Sequence, residues 1–500
     1  MAQSPPAEPP RGDPQRYADS GRFLTRLEID RRPIGVVLLD RLWKQLVLGA
    51  LLIAFAIVVA LEPPAGLTPA GWKSLCVFGL SAILWGTALL PLAITSLLAM
   101  SLVPLLGIMS ASQAYGFFGS KVVFFMLGAL MLSAAMIRSG LSSRLATTVV
   151  RRFGATPRRL VMAIFFLCAG GSMVMNEHAV AVMVLPIVVD TARALGLKPL
   201  HSALGRALCF ALAWGCIIGG SLTVLGGSRG PLAIGILEEA THHATTISFL
   251  DYIAFGAPMV FVMLVVGALL LRFRFTPEIT DTASAIRNLE ERARTLGKVS
   301  PRELVVALIM TATVLSWAII GDEAGLDTIA IFAMAALFAL RAVTWAEVES
   351  EVSWGVVLMY GGAISLAAAM SETGAALWLA ERVFSGVGES PTALLIVVAL
   401  LSAVLTEFMS NAAVVAMLLP PVFSIAAGWG VDLRAATMAV VLPSNFAFMM
   451  PIATPATALA WSAGYYTPRE VARNGLLMNL AGFGSVLLLV LVWWPLIGLL

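Results

Sequence analysis

Residues 157–192 read PRRLVMAIFFLCAGGSMVMNEHAVAVMVLPIVVDTA, and residues 391–426 read PTALLIVVALLSAVLTEFMSNAAVVAMLLPPVFSIA. Each stretch opens on a proline, runs apolar, stops at a polar cluster and resumes apolar sequence through a second proline. The first cluster is Ser172 followed by Asn176-Glu177-His178; the second is Thr406-Glu407 followed by Ser410-Asn411. Polar groups at bilayer depth are costly and need partners. A helix–turn–helix hairpin dipping part-way into the membrane (about 157–192 and about 390–427) would place each cluster at a tip. Helix N-termini there can hold anions, and free carbonyls can hold cations. Ser, Thr and Asn also join transmembrane helices without binding anything. One cluster alone would not separate these readings; an aligned pair favours a site.

The two stretches belong to a longer repeat. Gly128, Gly140, Pro157, Pro186 and Gly196 are matched, at one constant offset and without a gap, by Gly362, Gly374, Pro391, Pro420 and Gly430. The first hairpin follows a basic joint carrying Arg151, Arg152, Arg158 and Arg159, which the positive-inside rule places in the cytoplasm. The second follows Glu381, Arg382 and Glu389, with no basic excess. By charge the repeats enter from opposite sides, the inverted arrangement of secondary transporters whose sites lie near the midplane. A duplicated bundle with no transport role is the competing reading. Each half also has a break in a long apolar segment: Gly219-Gly220-Ser221 to Gly226-Gly227-Ser228-Arg229-Gly230-Pro231, and Pro451-Ile452-Ala453-Thr454-Pro455-Ala456-Thr457. Glycine permits unusual backbone angles and proline withdraws a donor, so both breaks would free carbonyls and half-helix N-termini.

Composition sets the class around this repeat. Of 500 residues, 59% are hydrophobic and 12% charged, against about 25% charged in soluble domains. Apolar segments are read at roughly 43–61, 73–90, 92–109, 119–150, 160–192, 203–238, 252–271, 302–320, 327–341, 354–385, 392–427, 433–463 and 473–500, many long enough to span a bilayer. The expected fold is therefore an all-α polytopic membrane protein of two inverted repeats, each with a re-entrant helical hairpin and a broken transmembrane helix. Residues 1–42 read as a cytoplasmic N-terminal tail without a signal-peptide core. Residues 43–271 form the first half, 272–301 a polar cytoplasmic linker, and 302–500 the second half. A net charge of +3 without an extended basic patch disfavours nucleic acid, and none is expected as a partner. The four cysteines lack metal-ligand spacing and read as small core residues. An enzyme is disfavoured: Glu177-His178 could supply acid and base, but no nucleophile, metal cluster or phosphate loop accompanies them.

At the hairpin tips, the Trp354-Gly355 to Gly361-Gly362 stretch, the Pro451–Thr457 loop and the Arg473-Asn474-Gly475…Asn479 segment, the chain resembles the divalent anion/sodium symporter family. That solute carrier group moves dicarboxylates, citrate or sulfate, and the resemblance covers nearly everything from about residue 43. It implies a homodimer in which a transport domain moves against a scaffold in elevator fashion. It also implies a Ser-Asn-Thr triplet at each tip and a Thr-Pro-Pro-Asn-like loop in each half. Ser410-Asn411 match the second triplet, with Ala412 in place of Thr, and Thr454-Pro455 match the loop. Thr406, Asn411 and Ala453 match the family's second sodium site. The first half departs: Asn176-Glu177-His178 stand where Ser-Asn-Thr is expected. Ser172 and Gly226 match the first sodium site, but Glu177 replaces its coordinating Asn, and Gly227-Ser228-Arg229-Gly230 replace the loop.

The expected function is symport of a small anion, a di- or tricarboxylate, coupled to sodium, protons or both. The anion would be held by Asn176, Glu177, His178, Arg229, Ser410, Asn411, Thr454 and Pro455. Sodium would be held by Ser172, Asn176, Glu177, Gly226, Thr406, Asn411 and Ala453. Glu177 would hold sodium more strongly, carry a proton beside His178, or pair with Arg229 and displace the ion. Alternatives are a sodium-independent anion exchanger and a sulfate- or arsenite-type oxyanion permease. No cofactor, and no metal other than sodium, is expected. The expected setting is a multi-pass protein in the lipid bilayer of a bacterial inner membrane.

Overall fold

The computed structural model describes residues 34–500 other than Glu389 and Ile452. Among the described residues there is no strand; helices are joined by short turns. The tail expected over 1–42 lies outside the described residues as far as residue 33, and a helix, Ile34–Val59, begins before its expected end. Among the described residues, eight helices are long and apolar enough to cross a membrane. Several turn large apolar side chains outward: Phe261 is 68% exposed, Leu308 61% and Ile319 77%. Leaving such a side chain in water would forfeit roughly 1.5–3 kcal/mol of burial, whereas lipid accepts it. This is a multi-pass helical membrane protein.

The two halves run through the same elements in the same order. In the first, helix Lys121–Arg138 ends at Gly140 (φ 85°), which opens the amphipathic helix Leu141–Phe153. Pro157–Val174 and Glu177–Ala194 follow as a hairpin that ends at Gly196 (φ 65°). In the second, Trp354–Glu372 ends before Gly374 (φ 72°), which opens Ala375–Val383. The hairpin Pro391–Leu405 and Asn411–Gly428 then ends at Gly430 (φ 68°). A left-handed backbone costs an L side chain steric clash, and glycine avoids it at all four turns. Each hairpin begins in the same way, with the Thr156 or Ser390 hydroxyl accepting an amide of the first turn and a proline at the helix start.

After each hairpin comes a broken helix. Ala203–Gly219 gives way to loose turns through Ser228 before Arg229–Ala240. Leu433–Val441 gives way to a tight turn at Pro443–Asn445 and further non-helical chain before Pro455–Ser462. The second break thus starts ahead of the Pro451–Thr457 loop marked in the sequence. Pro443 has no amide to continue the helical ladder, so the chain leaves the helix there. The first hairpin lies tightly on Ala203–Gly219: a Cβ at Gly219 would overlap the Ala169 carbonyl. Only a glycine lets the two backbones approach this closely.

The polar segment 272–301 is more than a tether. It contains the helix Ala283–Thr295 and is fastened at both ends of that helix. The Thr282 hydroxyl donates to the Gly154 carbonyl (2.9 Å). Beyond the helix, Arg144 donates to the carbonyls of Leu296, Gly297 and Lys298 and to Glu303 (3.0 Å).

Candidate functional site

Four charged side chains are buried among the described residues: Glu177, Arg229, Glu303 and Glu407. Glu303 is accounted for by its ion pair with Arg144 and by capping helix Pro301–Ala324 at Ser300. The other three lie where the hairpins meet the broken helices, which is where a buried charge in a membrane protein marks function.

At the second hairpin, Leu405 ends the first arm and Ser410 stands at the start of the second without a side-chain cap bond. The Thr406 hydroxyl lies 2.9 Å from Asn411 Oδ1 and also bonds the Ser444 carbonyl. Asn411 Nδ2 donates to Asn445 Oδ1 (3.2 Å). Asn445 Nδ2 in turn donates to the Ile217 carbonyl and the Ser221 hydroxyl, tying the second break to the first. Thr406, Asn411 and Ser444 therefore form a small, uncharged cluster of oxygens. Their hydrogen bonds to the break run through Ser444 and Asn445, while the Ala453 amide closes a turn on the Met450 carbonyl (3.2 Å). Thr454 is buried and caps Pro455–Ser462, sharing hydrogen bonds with Thr457; Pro455 is exposed.

Glu407 points away from that cluster. Its carboxylate accepts from the amides of Phe448 (3.1 Å), Met449 (3.0 Å) and Met450 (3.0 Å) and from Asn479 Nδ2 (2.6 Å). Three consecutive amides released by the break are thus bound by one carboxylate. Helix Pro468–Leu488, which carries Asn479, closes on the break because Gly475 leaves room for the Phe448 carbonyl.

At the first hairpin, Asn176 caps the second arm, its side chain accepting from the His178 amide (2.9 Å); His178 is exposed. The Glu177 amide donates to the Gly226 carbonyl (2.9 Å), so that carbonyl is already partly engaged. The Thr223 hydroxyl donates to the Met173 carbonyl (2.7 Å), fixing the break to the end of the first arm. Arg229 starts the helix after the break and folds its side chain back into it. Arg229 Nη2 donates to the Gly220 carbonyl (2.7 Å), and Nη1 lies 3.7 Å from Glu177 Oε2. Ser172 Oγ, Glu177 Oε2 and Arg229 Nε are buried without a hydrogen-bond partner. The facing of Glu177 and Arg229 expected from the sequence is present.

Ser444, Asn445, Ser221, Thr223 and Gly220 belong to this constellation, and the sequence reading did not single out their roles. Ser444-Asn445 was legible in principle: it repeats the Ser410-Asn411 pair directly after a proline inside an apolar run. Ser221 and Thr223 carried no such signal, because a hydroxyl in a membrane helix usually bonds its own backbone.

The family model described as the sodium:sulfate symporter transmembrane region matches residues 40–500. A sodium-dependent dicarboxylate transporter of Staphylococcus aureus, SdcS, is 28% identical over 483 residues, covering 90% of this chain and 91% of its own. Among solved structures, the Alcanivorax borkumensis YdaH transporter superposes with a TM-score of 0.56 at 16% identity, over 86% of this chain and 98% of its own. Neisseria gonorrhoeae MtrF superposes with a TM-score of 0.54 at 14% identity, over 88% and 98%. At those identities the structural likeness concerns the fold.

Proposed function

The chain belongs to the sodium:sulfate symporter family, and from that premise we propose that it is a symporter of a small anion, a di- or tricarboxylate, coupled to sodium. The observation that carries the reading is the second cluster. The Thr406 hydroxyl, Asn411 Oδ1 and Ser444 carbonyl converge where a hairpin tip meets a broken helix. Uncharged oxygens released by unwound backbone suit a dehydrated sodium ion. Sodium there would draw the anion to the adjacent helix starts, where Ser410, Asn411, Asn176 and Thr454 supply donors beside Pro455. Arg229, its guanidinium engaged by Glu177 and the Gly220 carbonyl, would keep the first tip neutral beside the anion, and His178, exposed at that tip, would reach the anion. With Glu177 facing Arg229, its charge is offset and no longer repels a dianion.

In this reading the matched halves are inverted repeats, and the paired hairpins carry the anion in an elevator movement of a homodimer in a bacterial inner membrane. The matched order of elements and the four matched glycine turns support the repeat. An apolar groove of about 710 Å³ supports access from the basic joint: it runs from Arg152, Phe153 and Arg159 past Phe166 to Val174 and Met175 at the first tip.

The test is thermal unfolding of the purified protein with dicarboxylates, citrate, sulfate or phosphate, in sodium or in choline. A ligand at about 100 times its Kd stabilises the native state by about 2.7 kcal/mol. A rise with dicarboxylate or citrate that needs sodium supports symport. A rise without sodium points to an exchanger, and a rise with sulfate or phosphate alone points to an oxyanion permease. No rise with any anion sinks the proposal.

A further inference from the structure

The two hairpin tips place matched residues in matched settings but solve the charge problem differently. Ser172 corresponds to Thr406 and Glu177 to Asn411 at the offset of the repeat. The second tip gathers a hydroxyl, an amide oxygen and the Ser444 carbonyl, with no charged side chain bonded to them. Glu407, the nearest carboxylate in sequence, is engaged by the amides of Phe448, Met449 and Met450. The first tip gathers a hydroxyl, a carboxylate and the carbonyls of Gly220 and Gly226, and a guanidinium has entered it.

Arg229 is 2% exposed, and a guanidinium is a planar, delocalised cation on a tether of fixed reach. It stands where a cation would draw on Glu177 and the break carbonyls. A Cβ at Gly227 would overlap Arg229 Nη1, so the guanidinium lies directly against the backbone of the break. A mobile cation entering the same place would meet a fixed positive charge at close range, and Glu177 can balance only one of the two. Burial weakens screening and makes that repulsion decisive.

We propose that Arg229 is a tethered cation that permanently fills the first coupling-cation position, so that the protein binds one mobile sodium ion per protomer, at Thr406, Asn411 and Ser444. This rests on the sodium-symport reading and adds a cation count to it. One charge of a loaded dianion is then balanced by mobile sodium, and the first tip contributes a neutral Glu177–Arg229 pair.

The test is equilibrium dialysis of the full-length protein against radioactive sodium, without anion, with thermal unfolding in succinate measured separately. The parent is expected to bind one sodium per protomer, and Thr406→Val none. Arg229→Met, which leaves Glu177 without its cation, is expected to bind two, and Arg229→Met with Thr406→Val one. Arg229→Lys keeps a fixed charge and is expected to stay at one. Two sodium ions on the parent, or one remaining on Thr406→Val, would overturn the inference. If Arg229→Met fails to fold, Thr406→Val on the parent background still decides it. Succinate stabilisation reports on the transport reading alone: a parent that binds one sodium but responds to no anion keeps the cation count and loses the substrate. A parent that responds to succinate and binds two sodium ions does the reverse.

Discussion

Glu407 shows how a charge inside apolar sequence can serve the protein's own backbone. It lies one position from Thr406, yet its carboxylate serves the amides of Phe448, Met449 and Met450 and the Asn479 side chain. Glu407→Ala would leave three backbone donors unpaired, at about 1–3 kcal/mol for each that stays dry. The expected outcome is a fall in unfolding temperature together with weaker sodium binding, because the same break presents Ser444. Asn479→Leu removes a single partner and is expected to cost about 1 kcal/mol, which thermal unfolding would resolve from the larger loss. At the polar segment, Glu278 caps helix Ala203–Gly219 through the Ser202 hydroxyl and the Leu204 amide (2.9 Å). Burial pushes its carboxyl upward, but these hydrogen bonds, with those from its own amide and the Ala203 amide, together outweigh burial and hold it below the usual glutamate range. A depressed folded-state value means that the stabilisation is present above the ordinary glutamate pKa and is lost as pH falls through the lower, folded one. Glu278→Gln is expected to be less stable than the parent by about 1 kcal/mol at neutral pH. The gap should close in acid, and unfolding followed as a function of pH checks it.

At the scale of elements, the hairpins and their caps follow from local chemistry, whereas the polar segment does not. Its composition marks it as too polar for lipid, and its charges alone make a loose connection the simplest expectation. The structure instead docks it, because Arg144 presents a planar fork of donors to three successive carbonyls at Leu296, Gly297 and Lys298. Arg144→Ala is expected to cost about 2 kcal/mol and to release this end of the segment, which limited proteolysis would detect as faster cleavage near residues 296–298. An unchanged cleavage rate would show that Thr282 and the helix Ala283–Thr295 hold the segment without Arg144. The second break gives the same lesson on a smaller scale. Pro451 and Pro455 drew attention to the loop, but the helix ends at Pro443, where the first amide is missing, and the turn brings Asn445 to the first half.

For the whole molecule, the inverted-repeat proposal makes the two tips reachable from opposite sides. Val174 is 37% exposed and Phe408, its counterpart in the repeat, 68%, and all four native cysteines are buried. Single cysteines at Val174→Cys and Phe408→Cys are expected to react with a membrane-impermeant thiol reagent from the cytoplasmic and the outer face respectively. Sodium with the transported anion should slow both, and labelling of both from one face would argue against the inverted arrangement.

The membrane class, the paired hairpins and the polar residues at their tips were legible along the chain. Hydropathy, glycine and proline act through the local backbone and through solvent preference, and neither needs a partner far along the chain. The sequence also marked Glu177 and Arg229 as a pair, because two opposite charges in apolar sequence have few other ways to be neutralised. Which oxygens meet was set by packing. The bonds from Thr406 to Ser444, from Asn445 to Ile217 and Ser221, and from Glu407 to the second break all join segments far apart in sequence. Such partners are set by how helices pack at a glycine contact such as Gly219 on Ala169 or Gly475 on Phe448. Hydrogen-bonding groups of the same type are otherwise interchangeable along the chain, so spacing alone cannot choose among them.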